Sequence, residues 1–253
     1  MAHNLFTIES NLSDDHATPD RNWEQFLTKL AELPHYTRLG ELNAGEHADF
    51  IRANFTDVIF LGTGGSSLGG QAITALTSDI SPALHFMDNI DPYSFSKLFT
   101  RLELDSTAVV VTSKSGSTME TVAQLLWCLK QFKGRNISHH FTIITEPGAN
   151  LLCQIAERYD IKRLDHPLDI GGRFAALSIV GELPARIAGL DVAALHQGAK
   201  QVYDDALSNG VQSSPIRAVQ SIPAGELMAR ACIGMLISVV FPIFSANNLG
   251  IKR

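Results

Sequence analysis

Cysteine is scarce in this chain. Cys128, Cys153 and Cys232 are odd in number and widely spaced among 253 residues. They match no metal-ligand pattern, so free thiols in a reducing cytoplasm are expected, with neither a disulfide framework nor a metal centre. Positive charge is also in short supply: Lys and Arg total 20 against 26 Asp and Glu, a net charge of -6. That balance argues against nucleic-acid partners and anionic membranes, and it leaves any phosphate to be held by local donors. Long apolar runs are missing as well. The longest, Ile233 to Phe244, is too short to span a bilayer and is broken by Pro242, while residues 1–20 are polar and acidic and lack a signal peptide's basic and apolar segments. With 45% apolar and 18% charged residues, the chain reads as globular, of one or two domains. Its nine histidines are scattered; His139 and His140 are expected to begin a strand in structural or surface roles.

What is present centres on Val109 to Thr121, V-V-V-T-S-K-S-G-S-T-M-E-T. Three β-branched residues predict a buried strand, a polar run interrupts it, and a helical pattern opens at Met119. The first N–H groups of a helix have no internal partner and carry partial positive charge, which suits an anion. Ser113, Ser115, Ser117 and Thr118 add hydroxyls, Gly116 admits close approach, and Lys114 supplies a full charge. A capping box from Ser117 to Glu120 is expected too, but it accounts for those two residues only.

Taken in order, Met1 to Pro19 reads as a lead-in. A helix carries Trp23, Phe26, Leu27 and Leu30 and ends near Pro34, and another spans Ala44 to Asn54. Strands are then predicted at Val58–Leu61, Leu84–Met87, Val109–Val111, Phe141–Ile144 and Asp160–Leu164. Helices fall between and after them at Ser67–Leu76, Tyr93–Phe99, Met119–Phe132 and Leu151–Arg158. This alternation predicts right-handed crossovers and a parallel sheet covered on both faces. Ligands gather beyond the carboxyl ends of such strands.

Three further loops belong there. Gly62 to Gly70, G-T-G-G-S-S-L-G-G, superficially matches a dinucleotide fingerprint, but Ser67 stands where the third glycine is required. A tight turn with close strand-to-helix packing explains the glycines equally well. Asp91 followed by Pro92 reads as a helix N-cap. Gly171-Gly172-Arg173 precedes a helix expected near Ala175 and can aim one guanidinium inward; a surface ion pair with Asp165 or Asp169 is the plain alternative.

Together, V-I-F-L-G-T-G-G-S-S-L-G-G at Val58 to Gly70, S-K-S-G-S-T-M-E-T at Ser113 to Thr121 and G-G-R-F-A-A-L-S-I-V-G-E-L-P-A at Gly171 to Ala185 resemble three successive motifs of the glucose-6-phosphate isomerase family. N-I-D at Asn89 to Asp91 resembles a lesser one, and the resemblance runs to about Val240. It implies a sugar-isomerase (SIS) domain, a flavodoxin-like three-layer α/β/α sandwich on a five-stranded parallel sheet with extra helices at both termini. The domain would span 56–190, after a helical lead-in at 1–55 and before a helical segment and incomplete second domain at 191–253. By the same resemblance Ser66, Ser113, Lys114, Ser115 and Thr118 would hold a sugar phosphate, Arg173 would serve catalysis, and Gly65 and Gly172 would give the ligand room. No metal or other cofactor is implied, and the partners are a small-molecule sugar phosphate and a second copy in a cytoplasmic homodimer.

Interconverting an aldose and a ketose phosphate moves a proton from C2 to C1 through an oxyanion, which calls for a general base and a cation. The family's glutamate base, its ring-opening histidine and its late lysine belong to motifs with no match here. Glu120, Glu182 and Glu226 are the weighed substitutes, none compelling. After Pro242 the sequence also departs from the family, so a shortened version of a longer enzyme is expected. A helix at Pro223–Gly234 and a strand at Leu236–Phe241 would then leave an unpaired edge. The competing functions are a catalytically inert sugar-phosphate-binding module and, more weakly, a nucleotide-binding domain.

Overall fold

Five short runs form the sheet, and the three inner ones, Asp57–Leu61, Thr107–Thr112 and Phe141–Thr145, are rich in β-branched and aromatic residues. The computed structural model describes residues 23–41, 44–75, 77 and 80–213. The expected lead-in at Met1–Pro19, helix at Pro223–Gly234 and strand at Leu236–Phe241 lie outside the described residues. Strands β1 (Asp57–Leu61), β2 (Ala83–Met87), β3 (Thr107–Thr112), β4 (Phe141–Thr145) and β5 (Lys162–Asp165) are all parallel and lie in the order β2-β1-β3-β4-β5.

Successive side chains of a strand point to opposite faces, and a sheet covered on both faces has two cores. Ile59, Leu61, Val109, Val111, Phe141 and Ile143 face α5 (Pro92–Phe99), α6 (Met119–Gln131) and α8 (Leu151–Tyr159), and pack with Phe95, Leu125, Cys128 and Leu152. Their neighbours Val58, Phe60, Ala108, Val110 and Ile144 face the other way. There they pack on Ala48 and Ile51 of α3 (Gly45–Asn54) and on Ile179, Leu183 and Ile187 of α9 (Ile179–Ile187). Cys128 and Cys153 are buried free thiols, and burial pushes the Cys128 thiol upward.

The helix α4 (Gly65–Thr74) follows β1 and packs on α9 and on the 3-10 turn at Gly172–Leu177. Residues 42–192 form one unit around the sheet. The helices α1 (Trp23–Glu32), α2 (Pro34–Thr37) and α10 (Val192–Asn209) belong largely to a second unit. There Leu30 packs with Tyr203 and Ala206, and the Tyr36 hydroxyl donates to Asp204 at 2.9 Å.

Three local expectations are corrected. His139 and His140 end a short helix, α7 (Ile137–His140), rather than begin β4. The buried His140 ring accounts for it: Nδ1 donates to the Thr107 carbonyl at 2.9 Å, tying the turn to β3. The helix expected to open near Ala175 is split into the 3-10 turn and α9. Ser178, extended at φ -119°, separates them and caps α9 by accepting from Val180 N. The capping box at Ser117 and Glu120 does not form, because the N-cap of α6 is Thr118 and its side chain makes no capping bond. Asp91, by contrast, caps α5 as expected, accepting from Tyr93 N and Ser94 N. The Ser94 hydroxyl bonds first, and the two N–H groups with it, hold the Asp91 carboxyl below its usual range.

Candidate functional site

The strand order reverses between β1 and β3: the chain leaves β1 for β2 on one side and returns to β3 on the other. In open parallel sheets that switch point leaves a crevice at the carboxyl ends of the strands. Both Gly- and Ser-rich loops open from it. Gly62 follows β1 and Ser113 follows β3, and a Cβ added to Gly62 would lie 3.0 Å from the Thr112 carbonyl oxygen and 3.1 Å from Ser66 Cβ. The two loops are therefore neighbours.

The Ser-rich loop is held from within and from behind. Ser113 is buried, and its Oγ lies 2.9 Å from the Thr118 hydroxyl. That contact draws the Thr118 side chain away from capping, so the opening N–H groups of α6 receive no side-chain cap. Gly116 sits at φ +65°, a conformation that favours glycine, and a Cβ there would overlap Asn150 Oδ1. Asn150 is itself fixed, accepting from Cys153 N at 2.9 Å as the cap of α8 and donating to the Glu146 carbonyl at 2.9 Å. Ser115 and Ser117 are exposed; the Ser117 Oγ lies 3.4 Å from Ser115 Oγ.

Lys114 is committed to its own neighbours. Its Nζ donates to the carbonyls of Leu168 at 3.1 Å and Ile170 at 2.9 Å, and lies 3.2 Å from Glu146 Oε1. An ammonium has three donors, and all three are accounted for. Beside this cluster His166 is buried, its Nδ1 donating to the Pro167 carbonyl at 2.9 Å, while Nε2 has no hydrogen-bond partner among the described residues. Burial holds the imidazole below its ordinary pKa, with the Lys114 charge adding to it against the opposing pull of the Pro167 hydrogen bond.

The Gly-Gly-Arg loop meets the site from the β5 side. A Cβ on Gly65 would run into the Gly172 carbonyl and lie 2.8 Å from Arg173 N, so the start of α4 and this loop touch backbone to backbone. A Cβ on Gly69 would lie 2.9 Å from Ala176 Cβ, and one on Gly70 would lie 2.9 Å from Pro184 Cγ. A Cβ on Gly172 would enter open space. Arg173 is exposed, and its guanidinium lies 5.9 Å from the centre of the Phe174 ring.

Of the residues expected from sequence, Ser66, Gly65, Gly172 and the Arg173 backbone come together at the α4 end, and Ser113, Ser115 and Thr118 share the loop after β3. Lys114 links that loop to the stretch ahead of Arg173. Sequence reasoning missed Glu146, His166 and Asn150. Only Asn150 carried a signal, as an Asn directly before the apolar pattern of α8. Gln124, also missed, donates to the Met87 and Asn89 carbonyls at 3.0 and 3.1 Å and fastens α6 to the Asn89–Asp91 stretch.

The chain is similar to known proteins. A glucose-6-phosphate isomerase of Thermus thermophilus is 37% identical over 164 residues, covering 64% of this chain and 40% of that protein. One from Rubrobacter xylanophilus is 36% identical over 204 residues, covering 73% and 47%. The crystal structure of a glucose-6-phosphate isomerase from Chlamydia trachomatis superimposes with a TM-score of 0.63 at 25% identity, covering 87% of this chain and 44% of that one. The chain thus spans less than half the length of each relative. The family model described as Phosphoglucose isomerase matches residues 24–219, and with the three motifs standing together at the carboxyl ends of the strands, the chain belongs to the phosphoglucose isomerase family.

Proposed function

We propose that this chain carries the phosphate-binding part of a glucose-6-phosphate isomerase site, for interconversion of glucose 6-phosphate and fructose 6-phosphate. The observation that carries the reading is the juxtaposition of two hydroxyl-bearing loops at the β1/β3 switch point, one of them opening into an uncapped helix start. Ser66, Ser113, Ser115 and Thr118, with the backbone N–H groups around them, hold the phosphate. Lys114, expected from the resemblance to join them, instead turns its ammonium to the Leu168 and Ile170 carbonyls and to Glu146. Hydrogen bonds to a charged acceptor are shorter and stronger than neutral ones, so hydroxyls and N–H groups suffice for a dianion in a protein of negative net charge.

The phosphate anchors the remote end of the sugar, and that binding energy orients C1 and C2. Arg173 stabilises the enediolate oxygen while a general base, for which no motif of this chain is a match, takes the proton from C2 and returns one to C1. Gly172, whose missing side chain opens on free space, leaves room for the sugar there. The sugar-isomerase domain is taken as 56–190, with 1–55 and 191–253 flanking it, in a cytoplasmic homodimer. No helix among the described residues is long and apolar enough to cross a membrane.

A second reading, a sugar-phosphate-binding module without turnover, is favoured by one observation. Glu182, one of the carboxylates weighed as a base, is 3% exposed among the core residues of α9. The deciding experiment couples fructose 6-phosphate isomerisation by the purified chain to oxidation of glucose 6-phosphate, with Arg173→Ala as control. Turnover that disappears in the Arg173 variant supports the enzyme. Thermal stabilisation by fructose 6-phosphate without turnover supports the binding module, and neither effect overturns both.

A further inference from the structure

Lys114 stands in the Ser-rich loop as though dressed for an anion, yet its side chain points at protein. Its ammonium reaches 54 and 56 residues along the chain to the Leu168 and Ile170 carbonyls. These two acceptors flank Asp169 in a stretch, 166–171, that is neither helix nor strand. The third contact, Glu146 Oε1, comes from the loop after β4. The backbone of Lys114 is held from the same side, its carbonyl accepting from Glu146 N at 3.1 Å and from the Thr145 hydroxyl at 3.3 Å. Lys114 and Glu146 are therefore tied at both main chain and side chain.

The far side of this brace is equally firm. Ile170 is buried at 3%, and His166, at 1%, anchors the start of the stretch through His166 N to the Thr145 carbonyl at 2.9 Å. Just beyond Ile170 come Gly171, Gly172 and Arg173. An ammonium gripping two carbonyls two residues apart fixes the curvature of the backbone that delivers Arg173.

We infer that Lys114 is a positioning residue: its ammonium, balanced by Glu146, locks the Arg173-bearing loop to the phosphate-binding loop, so that a sugar phosphate seated on the hydroxyls finds Arg173 already in register. This rests on the phosphate reading for its ligand, but the brace itself is a property of the free protein. Glu146 neutralises the ammonium in place, which separates this role from that of a direct phosphate ligand.

The test compares wild type, Lys114→Met, Glu146→Gln, Arg173→Ala and the double variant Lys114→Met/Arg173→Ala. Amide hydrogen exchange, read by mass spectrometry on ligand-free protein, is expected to quicken about tenfold or more across 167–174 in Lys114→Met and to a lesser degree in Glu146→Gln. Titration calorimetry then separates the two ends of the ligand. In Lys114→Met, affinity for fructose 6-phosphate falls about tenfold while that for inorganic phosphate stays within about threefold, since a lost charge-assisted bond weighs on the sugar end alone. Arg173→Ala adds nothing in the Lys114→Met background, the non-additivity expected of coupled residues and not of independent ones.

Unchanged exchange at 167–174, with affinity for both ligands falling alike, overturns the inference and makes the ammonium a phosphate ligand. Additive losses for Lys114 and Arg173 overturn it as well. If wild type binds neither ligand, the phosphate reading fails and the exchange comparison alone decides the brace. If Lys114→Met does not fold, Glu146→Gln carries the comparison, and unchanged exchange there overturns the inference.

Discussion

The carbonyl of Gly172 occupies the place that a side chain on Gly65 would need. Both glycines belong to family motifs, but they are glycine for different reasons. At Gly65 the obstacle is backbone, which cannot swing aside as a side chain can. At Gly172 an added methyl meets nothing. Gly65→Ala is therefore expected to destabilise by about 1–3 kcal/mol, the usual range for an overpacked site. Gly172→Ala is expected to stay within about 0.5 kcal/mol of wild type and to lose affinity for fructose 6-phosphate. Urea unfolding of the two variants, with ligand titration of the second, checks both halves. A Gly172→Ala protein that binds normally would remove this residue from the site.

The buried Ser113 hydroxyl and the Thr118 hydroxyl share one hydrogen bond, so one of the two retains a proton for an acceptor outside the pair. Ser113→Ala breaks this arrangement, and affinity for fructose 6-phosphate should fall about ten- to a hundredfold, the worth of one hydrogen bond to a charged group. Thr118→Val, added to Ser113→Ala, should cost less than it does alone, because the pair acts as one donor. Calorimetry on the three variants decides this; full additivity would mean that the hydroxyls bind separately or not at all.

Acid should weaken the fold before the carboxylates titrate. Burial lowers the pKa of His47, His140 and His166, with the Lys162 charge adding to it at His47 and Lys114 at His166. In the native state these rings stay neutral where the unfolded chain, with histidines near pH 6.5, takes up protons. The unfolded state then binds more protons, so stability falls as pH drops. The contribution is whole above about pH 6.5, declines as pH falls through that value, and levels off below the lowered native values. Urea midpoints at pH 7.5 and 5.5 should show the drop. His140→Asn, which keeps a donor for the Thr107 carbonyl, should reduce it. A flat or rising midpoint in wild type would contradict the assignment.

How far the sequence reaches is clear from individual residues. Val109 to Val111 announce β3 because a run of β-branched residues between turn signals has few other uses, and Asp91-Pro92 announces α5 because the cap chemistry is local. Ser117 and Thr118 show the limit. Both satisfy the rules for a cap, yet the N-cap position falls to Thr118 and no side-chain cap forms, because Ser113, five residues back, takes the Thr118 hydroxyl. His139 and His140 read as strand by proximity to Phe141, yet the Thr107 carbonyl, across the sheet, draws His140 into a turn. Lys114 is the fullest case. Its identity in a Ser-rich loop suggests an anion, but its partners Glu146, Leu168 and Ile170 become neighbours only when β3, β4 and β5 line up. No window of sequence contains that information.

The glycine-studded turn after β1 bears on chemistry in another way. A nucleotide-binding turn is bare so that a pyrophosphate can press against its peptide groups. Here Gly62, Gly65, Gly69 and Gly70 are already spoken for: each bare surface is pressed by Thr112, Gly172, Ala176 or Pro184. The glycines are a joiner's mortise cut to receive a second piece of the same chain. The Gly62–Gly70 and Gly171–Ala185 segments therefore form one fitted part, and a transplant of either into another scaffold would need the other to go with it.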